Sequence, residues 1–279
     1  MAKAGIVRLF ESRLAHRVRR GVFRFEDILA SRAQKPEAGF FDSYPRFYST
    51  SVTSPAPNRL NRRHQALIES NREFIQGKSL LDIASHDGRW SFAAHRAGAR
   101  QVLGIEARNH LVENARATLR DYQVPDDRVR FVVGDVFAEL DRLEPGGFDT
   151  VLCFGFFYHT LHHMLLLAKI ARLTPQHLIL DTAIDLDPGP TIVVRNEGVD
   201  HESAGAIADA GNPDRVVVGT PTRSAMELML SSSGFSSIRY YDWPRAGLKN
   251  WKDLGDYRQG RRVSLVASLN HATIEPGRR

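Results

Sequence analysis

Three acidic residues, Asp82, Glu106 and Asp135, each close a short apolar run: Ser79 to Leu81, Val102 to Ile105 and Val129 to Gly134. The first run leads into Ile83-Ala84-Ser85-His86-Asp87-Gly88, a tight loop with small residues, and Trp90 to Ala97 then reads as a helix. Strand, tight turn and helix together are how an open α/β sheet builds a nucleotide site, with the ligand at the carboxyl end of the first strand. Glu106 lies eighteen residues past Gly88. At that spacing a carboxylate can accept hydrogen bonds from both ribose hydroxyls. Three successive strands that each end on a carboxylate are a more specific signal than any single glycine motif.

This pattern resembles the class I S-adenosylmethionine-dependent methyltransferases, over residues 78–269. The first motif of that family is acid-x-Gly-x-Gly-x-Gly. Here it reads Asp82-x-Ala84-x-His86-x-Gly88, so the last glycine alone is kept. His86 stands where glycine normally lets the backbone pass close to the ligand. The resemblance implies S-adenosylmethionine as cofactor, held by Asp82, Ala84, Ser85, His86, Gly88, Glu106, Ala107, Asp135, Val136 and Phe154. It places the ribose hydroxyls on Glu106, the adenine amino group on Asp135 and the adenine ring on the Val136 N–H. The loop from Ala84 to Gly88 would wrap the methionine portion.

The elements that must position these residues alternate as the family requires. Leu111 to Arg120 and Val136 to Leu143 read as crossover helices. Phe148 to Phe154 is the fourth strand, and its Phe-Asp-x-Val opening is the form that strand usually takes in the family. Leu161 to Leu173 carries apolar residues at turn spacing, with Thr160 as a cap. His177 to Asp181 is the fifth strand, Thr222 to Ser233 the next helix, and Ser237 to Tyr241 and Arg262 to Ser268 the last two strands. The fold expected is α/β: a Rossmann-like, doubly wound, seven-stranded sheet with a C-terminal antiparallel strand pair and a helical N-terminal cap. A cap and lid (residues 1–77), a core (78–269) with an insert at about 183–221, and a tail (270–279) are the expected parts. Insertions on the carboxyl side of an open sheet face the ligand crevice, so insert and cap should shape the acceptor pocket together.

Phe156-Phe157-Tyr158-His159-Thr160 follows the fourth strand, where the family's catalytic residues lie. Hydroxyl methylation needs a proton acceptor, and histidine is the base best matched to neutral pH. His159 is the candidate base, Tyr158 a positioning donor and Asp181 a further catalytic candidate. His162 and His163 stand three and four residues beyond His159, but without a placed carboxylate or cysteine no zinc site is expected. Asp181, Asp185 and Asp187 have the oxygen ligands of a magnesium site; they read as solvated loop acids, and no metal is assigned.

Tyr158-His159 ahead of an apolar helix also resembles, more narrowly, the enzymes that transfer a carboxymethyl group to wobble uridine in transfer RNA. The net charge of +6 equals the excess in residues 1–36, where nine Lys or Arg face three acids. Ile6, Phe10, Leu14, Val18 and Val22 form a helical stripe there, so this arm is read as a docked cap and homo-oligomer contact. No KH, OB or RRM signature is present. The expected function is therefore O-methylation of a small molecule such as a sugar or natural product. RNA modification is the second reading, and a cofactor-binding regulator without catalysis the third. Cys153 alone cannot form an intrachain disulfide, and no apolar run approaches the ~20 residues of a membrane span, which point to a cytoplasmic enzyme.

Overall fold

The computed structural model describes residues 39–50, 56–200, 202, 205–207 and 214–270. The basic arm, with the helix and oligomer contact expected of it, lies outside these residues, as do 51–55 of the lid, His201 and the tail beyond Asn270.

In chain order the elements are a 3-10 turn (Phe40–Ser43), α1 (Arg46–Thr50), α2 (Pro57–Leu67) and a second 3-10 stretch (Glu69–Phe74). Then come β1 (Ser79–Ile83), α3 (Arg89–Arg96), β2 (Gln101–Glu106), α4 (Asn109–Asp121), β3 (Val129–Val133), α5 (Val136–Arg142) and β4 (Thr150–Phe154). A 3-10 turn (Phe157–His159) precedes α6 (His163–Arg172), β5 (His177–Ala183), β6 (Ile192–Gly198) and β7 (Arg215–Pro221). The chain closes with α7 (Arg223–Ser232), β8 (Phe235–Tyr240), α8 (Gly255–Arg258) and β9 (Arg262–Leu269).

Seven strands form one sheet in the order β3-β2-β1-β4-β5-β9-β8. β1 to β5 run parallel, and β9 lies antiparallel between β5 and β8. The strand order reverses between β1 and β4, which opens a crevice at their carboxyl ends. Every residue of β1 and β4 is buried, as expected of central parallel strands covered on both faces. Side chains alternate between two cores. Leu80, Leu152 and Phe154 join Trp90, Phe92 and the N-terminal aromatics. Leu81, Ile83, Val151 and Cys153 join Leu166, Ile170, Met226 and Leu230 on the other face.

The aromatics upstream of the core are packing residues. Phe41 and Phe47 are fully buried, and Phe47 lies against Phe92 and Tyr122. Phe40 stacks on His64 with ring centroids 4.0 Å apart. Burial of each phenylalanine contributes about 1.5–3 kcal/mol, enough to fix this segment on α3 and α4.

Two elements depart from the sequence expectation. The helix expected from Leu161 starts at His163, because Thr160 is extended and its carbonyl accepts from Gly219 N in β7, 3.2 Å away. The insert, read as one strand near Thr191–Val194, is a hairpin in which β6 and β7 pair from Ile192↔Pro221 to Gly198↔Arg215. By contrast α7 lies where a helix was expected, and Thr222 caps it, its Oγ1 accepting from Ala225 N at 3.2 Å. Among the described residues no helix is long and apolar enough to cross a membrane, and no three His, Cys, Asp or Glu side chains are grouped to hold a metal.

Candidate active site

A cavity of about 890 Å³ opens at the carboxyl ends of β1, β2 and β4. Its outer rim is the loop after β1. Ala84, His86 and Gly88 all have left-handed backbone, with φ of 53°, 54° and 75°. These are the three positions where the resembled motif has glycine. The loop thus keeps a glycine-type path with a methyl and an imidazole on it, at about 1–2 kcal/mol per non-glycine residue. Hydrogen bonds hold it there: Ser85 N to Ile105 O at 2.9 Å, Gly88 N to Ser85 O at 3.0 Å and His86 N to Glu106 Oε2 at 3.1 Å. Gly88 itself cannot be larger, since a Cβ would stand 2.7 Å from the Phe131 ring. Gly104 in β2 is equally constrained: a Cβ there would fall 2.5 Å from the Phe131 ring and 2.8 Å from Ser85 Oγ.

Glu106 ends β2 at the cavity wall and is 2% exposed. Its Oε1 accepts from Arg108 N and Arg108 Nη1, both at 3.1 Å. Its Oε2 accepts from His86 N, so three of the about four acceptor positions of an ionised carboxylate are used and one remains open for a ribose hydroxyl. Asp135 caps α5 by accepting from Ala138 N at 3.0 Å, and Val136 and Phe137 line the wall beside it. Ala84, His86, Ala107 and Phe154 also face the cavity. His86 Nε2 is buried and has no hydrogen-bond partner among the described residues.

Asp82, Ser85 and Gly88, three of the expected cofactor residues, do not line the cavity. They build the loop instead. Asp82 is 1% exposed and accepts from Ser91 Oγ at 2.6 Å. Burial pushes its pKa up to about 7, with the negative charges of Glu106 and Asp87 adding and Ser91 opposing.

The inner wall follows β4. Gly155 takes a φ of +84°, and Phe156, Tyr158, His159 and His162 face the cavity. His159 Nδ1 lies 2.9 Å from Glu197 Oε1 on β6. His163 is turned away: it is 1% exposed and its Nε2 meets Gly219 O at 3.1 Å. The three histidines therefore do not converge.

Asp181 is not an exposed acid and does not reach the acceptor space. It is fully buried and accepts from Arg63 Nη2 (2.9 Å), Arg262 Nε (2.7 Å), Tyr257 Oη (2.7 Å) and Ser264 Oγ (2.7 Å). Burial alone would raise its pKa. Arg262 and Arg63 more than offset that and hold the carboxyl well below its usual range. Its place in the site is behind the wall, where it anchors two arginines that do face the cavity.

These arginines were missed from sequence. Arg59, Arg63 and Arg262 line one end of the cavity with Trp90 and Tyr158. Arg59 makes a bidentate pair with Asp256, at 2.7 Å for both contacts. Arg63 lies over Trp90 at 5.0 Å and Arg262 over Tyr158 at 5.4 Å. Arg63 Nε is buried without a partner among the described residues. Among the described residues three guanidiniums here share two carboxylates, Asp181 and Asp256.

Residues 80–176 match the family described as "Methyltransferase domain". A tRNA U34 carboxymethyltransferase from Pseudomonas fluorescens is 30% identical over 172 residues, covering 60% of this chain and 48% of the relative. One from Azotobacter vinelandii is 27% identical over 173 residues, with the same coverage. The chain thus spans about half the length of these curated relatives. In fold it is similar to the N-terminal domain of EvdMO1 solved with SAH and D-fucose: TM-score 0.58, 16% identity, 85% of this chain and 100% of that one. The PH0226 protein from Pyrococcus horikoshii OT3 superposes with a TM-score of 0.51 at 16% identity, over 83% of this chain and 100% of that one. Domain match, sheet order and the acid-ended strands agree, and the chain carries a class I S-adenosylmethionine-dependent methyltransferase domain.

Proposed function

We propose that this chain methylates a hydroxyl of a small molecule that also bears an anionic group, with His159 as the base. The observation that carries the reading is the arginine wall. Isolated buried charge is costly, and three guanidiniums over two carboxylates leave one cation to be balanced by a ligand. A carboxylate or phosphate on the acceptor would supply that charge and meet the open Arg63 Nε. Arginine forks suit such groups because they donate in pairs. His159 and Tyr158 line the same cavity, and Arg262 lies over the Tyr158 ring.

S-adenosylmethionine, when bound, supplies a methyl already activated on a sulfonium. The chain's work is then orientation, exclusion of water and removal of one proton. Glu106, Asp135, Val136 and the loop carrying Ala84 and His86 would hold the cofactor. Replacing Glu106 by alanine strands the ribose hydroxyls, which costs about 1–3 kcal/mol or roughly tenfold to a hundredfold in affinity. Calorimetry with S-adenosylhomocysteine on a folded Glu106→Ala protein measures this. Unchanged affinity would remove Glu106 from the cofactor site.

The relatives' activity supports a second reading, carboxymethyl transfer to RNA. Here the same arginines would face a carboxylate on the transferred group instead of one on the acceptor. A panel separates the two: hydroxy acids, uronic acids and sugar phosphates, their neutral esters or amides, and bulk transfer RNA. S-adenosylhomocysteine formation should be at least tenfold faster with an acid than with its neutral counterpart. Equal rates on both would overturn the anionic acceptor. Turnover on transfer RNA alone, with binding that weakens steeply as salt rises, would promote the second reading.

A further inference from the structure

The hairpin β6–β7 contributes a polar side chain to the site. Glu197 of β6 places Oε1 2.9 Å and Oε2 3.2 Å from His159 Nδ1, although the two residues are 38 apart in sequence. An ionised carboxylate can only accept. The proton of the neutral imidazole must then sit on Nδ1, and Nε2 is left as the free lone pair. This division of labour, one nitrogen anchored and the other available, is what a histidine base requires.

Glu197 is itself held in place. Its Oε1 accepts from Ala206 N at 2.9 Å, and Glu197 pairs with Val216 in the hairpin register. Beyond β6, Arg108 Nη2 donates to Asp200 O at 2.6 Å and to Gly205 O at 2.5 Å. Arg108 Nη1 reaches Glu106 Oε1 at 3.1 Å. A continuous run of hydrogen bonds therefore joins the ribose-side acid to the imidazole: Glu106, Arg108, the Gly205–Ala206 peptide, Glu197, His159. The hydrogen bond from His159 also lowers the Glu197 pKa against the opposing effect of burial, so this carboxyl stays ionised.

We infer that Glu197 is a positioning residue, supplied by the insert, that fixes the tautomer and ring orientation of His159. The inference rests on the reading of His159 as the base. It predicts that a family-type core without this hairpin would have an unanchored imidazole, and that the insert serves the chemistry as well as the shape of the pocket.

Nitrogen-15 histidine spectra of the full chain, with S-adenosylhomocysteine bound, test the tautomer without any acceptor. Wild-type His159 should carry its proton on Nδ1, with Nε2 bare. Glu197→Ala should shift this resonance pair to a mixture, and Glu197→Gln, which keeps an acceptor oxygen, should restore the Nδ1–H form. On the fastest acid of the panel, Glu197→Ala should lower kcat at least roughly tenfold, up to the 10²–10⁴-fold range for loss of acid–base catalysis. KM should stay within about twofold, and Glu197→Gln should recover part of the loss. An Nε2–H tautomer in the wild type, or an alanine variant with unchanged tautomer and kcat, would overturn the inference. Failure of the base reading looks different: His159→Ala would then turn over normally, whatever the spectra of the Glu197 variants show.

Discussion

Asp181→Ala should cost the fold about 3–5 kcal/mol, the usual penalty for removing one partner of a buried ion pair. That is a large share of the 5–15 kcal/mol by which a domain is typically stable. The carboxylate is fully buried and serves Arg63, Arg262, Tyr257 and Ser264 at 2.7–2.9 Å. Without it two nearly buried guanidiniums lose their counter-charge, and two hydroxyls lose an acceptor. Urea unfolding followed by circular dichroism reads the loss directly. The acid limb supplies a second readout. The folded carboxyl titrates below its unfolded value of about 3.9. The stability it contributes is complete above that unfolded value and is lost as pH falls toward the folded one. Removing Asp181 should flatten part of the acid decline in stability. A change under about 1 kcal/mol with an unaltered acid limb would show that the arginines find other partners.

Asp181 also shows what local sequence could and could not convey. It closes an apolar strand, as Glu106 does, and from sequence the two acids look equivalent. They differ through their neighbours across the sheet. β9 runs antiparallel to β5 and sets Ser264 opposite Asp181 and Arg262 opposite Ala183, while α2 delivers Arg63 from the other direction. No periodicity in one segment encodes that register. The parallel strands were legible because burial on both faces makes them continuous apolar runs. The hairpin β6–β7 was half legible: β6 is largely exposed, and its charged residues gave no reason to look for a partner near His159. In the nucleotide loop the residue types were misleading in the opposite sense. Two of the motif's glycines are missing, yet Ala84 and His86 keep left-handed backbone. Gly104, in β2, leaves room for the Phe131 ring and for the side chain of Ser85 in that loop.

His159→Ala should lower turnover of the acid acceptor by about 10²–10⁴-fold, the usual contribution of a positioned base. Three features support a step of that size. The side chain faces the cavity directly after β4, beside Tyr158. Glu197 holds its Nδ1 and leaves Nε2 open. And an alcohol is a poor nucleophile until its proton has somewhere to go, so an activated methyl does not by itself complete the reaction. S-adenosylhomocysteine affinity should remain near wild type, because the ribose and adenine contacts are proposed for other residues, Glu106 and Asp135. A variant that keeps near-normal turnover at neutral pH would leave His159 as an anchor for the insert. The proton would then have to pass to Tyr158 or His162, the other titratable groups on this stretch of wall, or leave a hydroxyl acidic enough to ionise unaided, as one conjugated to a carbonyl or ring would be.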